Sequence, residues 1–307
     1  VYLTNMKKKT ITLIGGSGFL AKFCISELLK NGHKVVVVCR NPHQAGNLRT
    51  MGPLDQLDIC RGNVMSKDSI EPIIRDSDII INFVGILNES TGNQTFLNCH
   101  AFGPKNIAEL AKKYEVQRLI HFSSIGADIN SESKYQKSKG LGEKYITENF
   151  PSSTIIRPSI VFGPGDGFFS VQAKLVKMLP VIPIFGGGKN CFQCVYVKDL
   201  AQGLCKIIAT EETKGKIFEF GGPDIMSMKE IYKLIMDTLG VKRLLFPMPI
   251  SIAATMGFFM QYLPSPIITY DQVKLLRQDN VVSEKQNTLE SLDIVKHSVK
   301  DIIQNYI

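Results

Sequence analysis

Residues 11–21 run from an apolar strand into a glycine loop and out again into a helix: Ile11-Thr12-Leu13-Ile14, then Gly15-Gly16-Ser17-Gly18, then Phe19-Leu20-Ala21. In that setting the spacing G-x-x-G-x-x-A has a mechanical meaning. Gly15 permits a tight turn at the end of the strand, Gly18 lets backbone come close to a phosphate, and the small Ala21 lets the helix settle against the sheet. The helix then begins with free N–H groups and the positive end of its dipole turned towards the loop, which is a natural seat for an anion. Gly15, Ser17, Gly18, Phe19 and Leu20 are therefore candidate contacts for the pyrophosphate of a dinucleotide.

The next 140 or so residues repeat the strand–helix alternation. Val35–Cys39, Ile79–Val84, Leu119–Phe122 and Thr154–Ile156 are nearly continuous apolar runs and read as strands buried on both faces. Between them, Phe19–Lys30 places Phe19, Phe23, Leu28 and Leu29 on one side, with a stop at Asn31-Gly32. Ile107, Leu110, Ala111 and Tyr114 follow the same helical period. The pattern predicts an α/β fold, a doubly wound parallel sheet of the Rossmann kind, over residues 10–162. Beyond it the texture changes, with Gly163-Pro164-Gly165 and Gly186-Gly187-Gly188. Ile217–Phe220 reads as a further strand that returns to the sheet, and Ser227-Met228-Lys229-Glu230 opens a helix that stops at Gly240. Residues 163–307 are thus expected to form a smaller, interleaved substrate lobe, and residues 1–9 an N-terminal extension. A first strand at Thr10 leaves no room for a signal peptide. Val1 reads as an alternative start codon, with Met6 the start and a bacterial source.

Ligands of open α/β sheets sit at the carboxyl ends of the strands. At the end of the second strand an NAD enzyme presents Asp or Glu to the ribose 2′-hydroxyl. This chain has Cys39 there, followed by Arg40. A guanidinium with no carboxylate beside it suits a 2′-phosphate, so NADP(H) is expected ahead of NAD(H). Asn63-Val64, after the third strand, is expected near the adenine. Asn82-Phe83-Val84-Gly85 ends the fourth strand, where a small residue must pass beneath the cofactor.

The fifth strand ends in Ser123-Ser124, and Tyr135 and Lys139 follow four residues apart, on one helix face. A phenol with a pKa of about 10 is a poor acid or base at neutral pH. A neighbouring ammonium is expected to lower that value and let Tyr135 exchange a proton with a substrate oxygen. Ser124, or Ser123, would hydrogen-bond that oxygen, and Lys139 could also hold the nicotinamide ribose.

Other classes fit poorly. Hydrophobic residues at 44% and charged residues at 21% exclude a disordered chain. The net charge of +8 comes from dispersed lysines, which make up 28 of the 36 basic residues, so no nucleic-acid stripe is present. Seven scattered cysteines argue against a disulfide framework, and the few dispersed histidines show no metal-ligand spacing. Cys191-Phe192-Gln193-Cys194 is expected in an extended segment, away from redox work. Asp166 and Glu143 read as solvated or capping carboxylates, and His121 as a satisfied core histidine. Leu244–Tyr270 has no charge over 27 residues. Pro249 and Pro264 leave only 14 residues of uninterrupted helix, short of a membrane span, so a buried or membrane-surface helix is expected there.

Taken together, the glycine loop, Asn82–Gly85, Ser123-Ser124, Tyr135 with Lys139, and Ile156–Gly163 resemble an atypical extended short-chain dehydrogenase/reductase of the NAD-dependent epimerase/dehydratase superfamily. Within it the chain is similar to the family of the dehydrogenase-like accessory subunit of respiratory complex I, the alpha subcomplex subunit 9 family. Tyr135-x-x-x-Lys139-x-x-Gly142-Glu143-Lys144, Pro180-x-x-Pro183, Val195-Tyr196-Val197-x-Asp199, Phe246–Pro249 and Ile268–Val273 carry that likeness. The resemblance implies bound NADPH, with Pro158 added to the cofactor contacts. It also implies complex I subunits or the inner-membrane surface as partners, and a link to ubiquinone synthesis. The implied location is cytoplasmic or peripheral on the inner membrane. A retained Ser124, Tyr135 and Lys139 keep open a working reductase, epimerase or dehydratase on a quinone, isoprenoid or other small lipophilic substrate, or on a sugar nucleotide.

Overall fold

The computed structural model describes residues 8–53, 55–90, 92–261, 268–284 and 286–307. Most of the N-terminal extension, and Tyr262, Pro264 and Pro266 of the uncharged segment, lie outside the described residues. Six strands, β1 (Thr10–Ile14), β2 (Lys34–Cys39), β3 (Leu57–Arg61), β4 (Ile79–Asn82), β5 (Arg118–Phe122) and β6 (Thr154–Pro158), join the strand Ile217–Phe220 in one sheet. The order runs from Ile217–Phe220 through β6, β5, β4, β1 and β2 to β3, and every pairing is parallel. Successive strands wind outwards from β1 in both directions, so the crevice of the sheet opens between the carboxyl ends of β1 and β4. β4 stops at Asn82, two residues before the expected end. The Asn82 side-chain oxygen accepts from the Val84 backbone N–H at 3.1 Å and turns the chain out of the sheet.

Helices cover both faces, as strands of Ile and Val on both sides require. α1 (Phe19–Lys30), α2 (Lys67–Arg75), α3 (Gly103–Lys113) and α4 (Lys134–Asn149) lie in the first half of the chain. α5 (Phe169–Met178), α6 (Val197–Ala209) and α7 (Met228–Leu239) follow. α1 and α6 pack Cys24, Ile25, Leu28, Leu200 and Leu204 against one face. α2, α3 and α4 pack Ile70, Ile74, Ile107 and Ile146 against the other. The expected single apolar side of α1 is in fact two. Leu28 and Leu29 face the sheet, Phe19 leans on a third cluster built from α5, α7 and the C-terminal residues, and Phe23 packs against both. α1 ends as predicted, with Gly32 at φ +79°. α7 is opened by the Ser227–Glu230 capping box and closed by left-handed Gly240.

The uncharged segment divides into a strand, Leu244–Met248, paired in parallel with Val181–Phe185, then α8 (Ile250–Met260) and α9 (Tyr270–Leu275). α8 has 11 residues, and no helix among the described residues is long and apolar enough to cross a membrane. Ala253 and Gly257 are buried, but Ile252, Met256, Phe258 and Phe259 are exposed, Phe259 by 68%.

Candidate functional site

The glycine loop has the geometry its sequence demands. Gly15 sits at φ +79°, and a Cβ there would press on Val84 at 3.0 Å, so the loop and the turn after β4 touch. Gly18 is the N-cap of α1 with no side-chain cap, and a Cβ on it would meet only the Gly15 carbonyl oxygen at 3.8 Å. Open space therefore lies before unpaired helix N–H groups. Ser17 is exposed there, while the Phe19 and Leu20 side chains turn into the core and leave only their backbone to the loop. Gly16, to which the sequence assigned no role, is held closely: a Cβ would lie 2.9 Å from the Leu13 carbonyl oxygen.

At the end of β2, Cys39 is buried and Arg40 exposed. Arg61 is Cys39's register partner on β3, a second guanidinium that sequence reading missed. Asn63 is exposed, and its side-chain oxygen accepts from the Met65 N–H at 3.1 Å. Val64 packs against Gly103, at the start of α3, and its carbonyl accepts from Asn106 at 2.8 Å. Burial raises the Cys99 thiol pKa, and the positive charges of Arg40 and Lys139 oppose that rise.

Tyr135 and Lys139 stand in the first turns of α4. The buried Lys139 Nζ donates to the Phe122 carbonyl at 3.3 Å, and a Cβ on Gly85 would lie 3.3 Å from it. Burial pulls the ammonium pKa down to about 8, against the pull of Glu143. The Tyr135 phenol does not behave as expected. Burial raises its pKa, and Ser124 opposes the rise, so at neutral pH the group is held as a proton donor. Ser124 Oγ is close enough to act on the phenol, yet it completes no hydrogen bond of ordinary geometry, nor does the Ser123 Oγ. Two buried hydroxyls without internal partners at a strand's carboxyl end are suited to receive a ligand oxygen. Pro158 closes this wall, its carbonyl accepting from Ile125 at 3.2 Å.

Several residues here carried no sequence signal. His100 lies in a one-turn π-helix, Asn98–Phe102, edge-on to the Tyr135 ring at 5.3 Å. Its Nε2 accepts from the Ile86 N–H at 2.9 Å, so its Nδ1–H faces the Ser138 hydroxyl at 2.9 Å, which in turn donates to the Tyr135 carbonyl at 2.7 Å. Burial first, then Lys139, drives its pKa down to about 2, so the ring is neutral. A Cβ on Gly142 would collide with the His100 carbonyl, which is why a helix interior carries glycine here. Glu143 is not solvated. It is buried, and Arg157 grips it through Nε at 2.8 Å and Nη2 at 2.6 Å while reaching Glu219 at 3.3 Å. His121 is only half satisfied: Asn82 Nδ2 donates to its Nδ1 at 3.0 Å, and its Nε2 has no partner. Asp166 caps α5 as expected, taking the N–H groups of Phe168 and Ser170 at 3.0 Å each. Cys191 lies in a short strand, and burial lifts the thiol pKa of Cys194 to about 12, which suits packing rather than exchange.

The model of the NAD dependent epimerase/dehydratase family matches residues 11–221. The chain belongs to the NAD dependent epimerase/dehydratase family. The match takes in the whole glycine loop and the Ser124–Tyr135–Lys139 wall of this family member. The mouse NADH dehydrogenase [ubiquinone] 1 alpha subcomplex subunit 9, mitochondrial, is 31% identical over 92% of this chain and 75% of its own length. Its Arabidopsis thaliana counterpart is 29% identical over 94% of this chain and 75% of its own. In fold, the chain is similar to UDP-glucose 4-epimerase from Bifidobacterium longum in complex with NAD+ and UDP. That structure has a TM-score of 0.71 and 17% identity, and the likeness covers 96% of each chain. The residues present fit a nicotinamide dinucleotide: an open, uncapped helix start at Gly18, a side-chain-free floor at Gly85, and the buried Ser123 and Ser124 hydroxyls at the end of β5, Ser124 near Tyr135.

Proposed function

We propose that this chain is an NADP(H)-binding accessory or assembly subunit of NADH:ubiquinone oxidoreductase, complex I, or acts beside it in ubiquinone synthesis. The observation that carries this reading is the uncharged face of α8. Ile252, Met256 and Phe259 of α8 are exposed, as are Leu244 and Phe246 of the strand that precedes it. Large apolar side chains exposed together on one uncharged segment mark a contact surface. Complex I subunits or the inner-membrane surface would cover it, and the chain would sit peripherally on that membrane. The likeness to the subunit 9 proteins along nearly the whole chain supports the same partner. Arg40 beside a side chain that is no carboxylate, with Arg61 across the register, supports NADP(H) over NAD(H).

The Ser124, Tyr135 and Lys139 wall favours a second reading, a working reductase, epimerase or dehydratase on a small lipophilic substrate. When bound, the nicotinamide supplies hydride chemistry. The chain's own part is then limited and concrete. Tyr135, kept protonated by burial, would donate to a substrate oxygen. Ser124 and Ser123 would hold that oxygen, and Lys139 would hold the ribose. Replacing Tyr135 by Phe removes the proton and leaves the ammonium. The expected result in the native organism is unchanged membrane NADH:quinone oxidoreductase activity and unchanged ubiquinone, with losses only on deletion of the whole chain. A ubiquinone deficit from Tyr135→Phe alone would overturn the accessory reading in favour of the enzyme.

A further inference from the structure

α4 begins without an acidic residue in its own first turn. Helices ordinarily place one there, because the first N–H groups have no partners and the dipole is positive. The missing carboxylate comes from Asp271, 136 to 138 residues away in sequence. Asp271 accepts from the Lys134 N–H at 2.7 Å, the Tyr135 N–H at 3.0 Å and the Ser133 hydroxyl at 2.8 Å. The N-cap Ser133 covers the third N–H, that of Gln136, at 3.4 Å. The whole first turn is thereby satisfied, two-thirds of it by another element.

Asp271 is itself held firmly. It lies in the first turn of α9, which has its own capping box between Thr269 and Gln272. α9 also ties down both walls of the crevice. Gln272 donates to Asn88, beyond the turn after β4, at 3.0 Å, and Lys274 donates to the Glu132 carbonyl at 2.9 Å. From behind, Gly257 of α8 lets that helix approach closely: a Cβ there would lie 2.8 Å from the Thr269 carbonyl carbon.

We propose that Asp271 is a positioning residue of the dinucleotide site: a carboxylate on α9 that fixes the first turn of α4, and with it Tyr135 and Lys139. This rests on the reading that the crevice binds NADP(H). It predicts an effect on one half of the ligand only. The adenosine and pyrophosphate half meets the glycine loop, whereas the nicotinamide half meets α4.

The test uses the full chain, with calorimetry for affinity and NADPH emission for immobilisation of the nicotinamide. Loss of a helix cap should weaken NADPH binding by roughly three- to tenfold in Asp271→Ala. The emission enhancement of bound NADPH should fall, while affinity for 2′,5′-ADP stays within about twofold. Asp271→Asn keeps an acceptor oxygen and should restore part of both losses, and it serves as the folded variant should Asp271→Ala fail to fold. Unchanged NADPH affinity and emission in a folded Asp271 variant, with only a lower melting temperature, would overturn the proposal. Equal losses for NADPH and 2′,5′-ADP would overturn it as well. Failure of the parent chain to bind either ligand would instead remove the reading on which it stands.

Discussion

Lys139 is a buried ammonium whose pKa is pulled from 10.5 to about 8 by burial. That displacement is a cost of folding of about 3 kcal/mol, complete below pH 8. Between about 8 and 10.5 the unfolded chain holds the extra proton, so the parent protein's stability rises with pH across this window. Lys139→Met keeps the length of the side chain and removes the charge. It also removes the 3.3 Å hydrogen bond to the Phe122 carbonyl, worth about 1 kcal/mol. The variant should then be more stable than the parent by about 2 kcal/mol at pH 7. The advantage should shrink steadily towards pH 10. Urea unfolding of both proteins, without cofactor, at half-unit pH steps from 6.5 to 10 measures this directly. The same variant should bind NADPH poorly on the proposal that Lys139 holds the nicotinamide ribose. A Lys139→Met protein less stable than the parent at pH 7, or a difference flat in pH, would refute the claim that burial dominates at this lysine.

Two further outcomes bear on the cofactor. Arg40→Ala should weaken NADPH by about ten- to a hundredfold and leave NADH nearly untouched, because only the former carries a 2′-phosphate; calorimetry with both ligands checks it. Gly18→Val places a side chain in the open space before α1, and the rise in melting temperature that NADPH gives the parent should be absent in the variant.

Most strands of this sheet were legible because they are buried on both faces and so read as apolar runs; edge strand β3, Leu57–Arg61, is partly exposed and carries Asp58 and Arg61, so it has no such run. The loop was legible because its glycines do backbone work: Gly15 with a positive φ, Gly18 with nothing in front of it. β4 was read two residues too long because Phe83 and Val84 are as apolar as the strand itself. What turns the chain there is the hydrogen bond from the Val84 N–H to the Asn82 side-chain oxygen, invisible to periodicity. Tyr135 and Lys139 declared themselves by spacing, but their electrostatics did not. The expectation of a lowered phenol pKa weighed the nearby ammonium and omitted burial, which acts on both groups and wins. Glu143 was misjudged for a related reason: its partner, Arg157, comes from β6, 14 residues away, and is itself shared with Glu219 on the Ile217–Phe220 strand. His100 acts through tertiary contacts alone, and Asp271, though inside the Ile268–Val273 segment, meets α4 only in the folded chain, so no local pattern gives either its partner.

These contacts suit both readings of the site. α4 is fixed near its start by Asp271 and further along by the pair Glu143–Arg157, a buried, charge-assisted, bidentate contact. A helix anchored at two places serves a subunit that only holds a dinucleotide as well as it serves an enzyme, since both must keep Lys139 in place. Conserving that geometry in a variant therefore says nothing about turnover. The proton does. The Tyr135 phenol carries a function the accessory role has no use for, because α4 is held through the residue's backbone N–H and carbonyl. Removing one oxygen at Tyr135 leaves the scaffold intact and removes the chemistry, which makes the phenol the place where the two readings part.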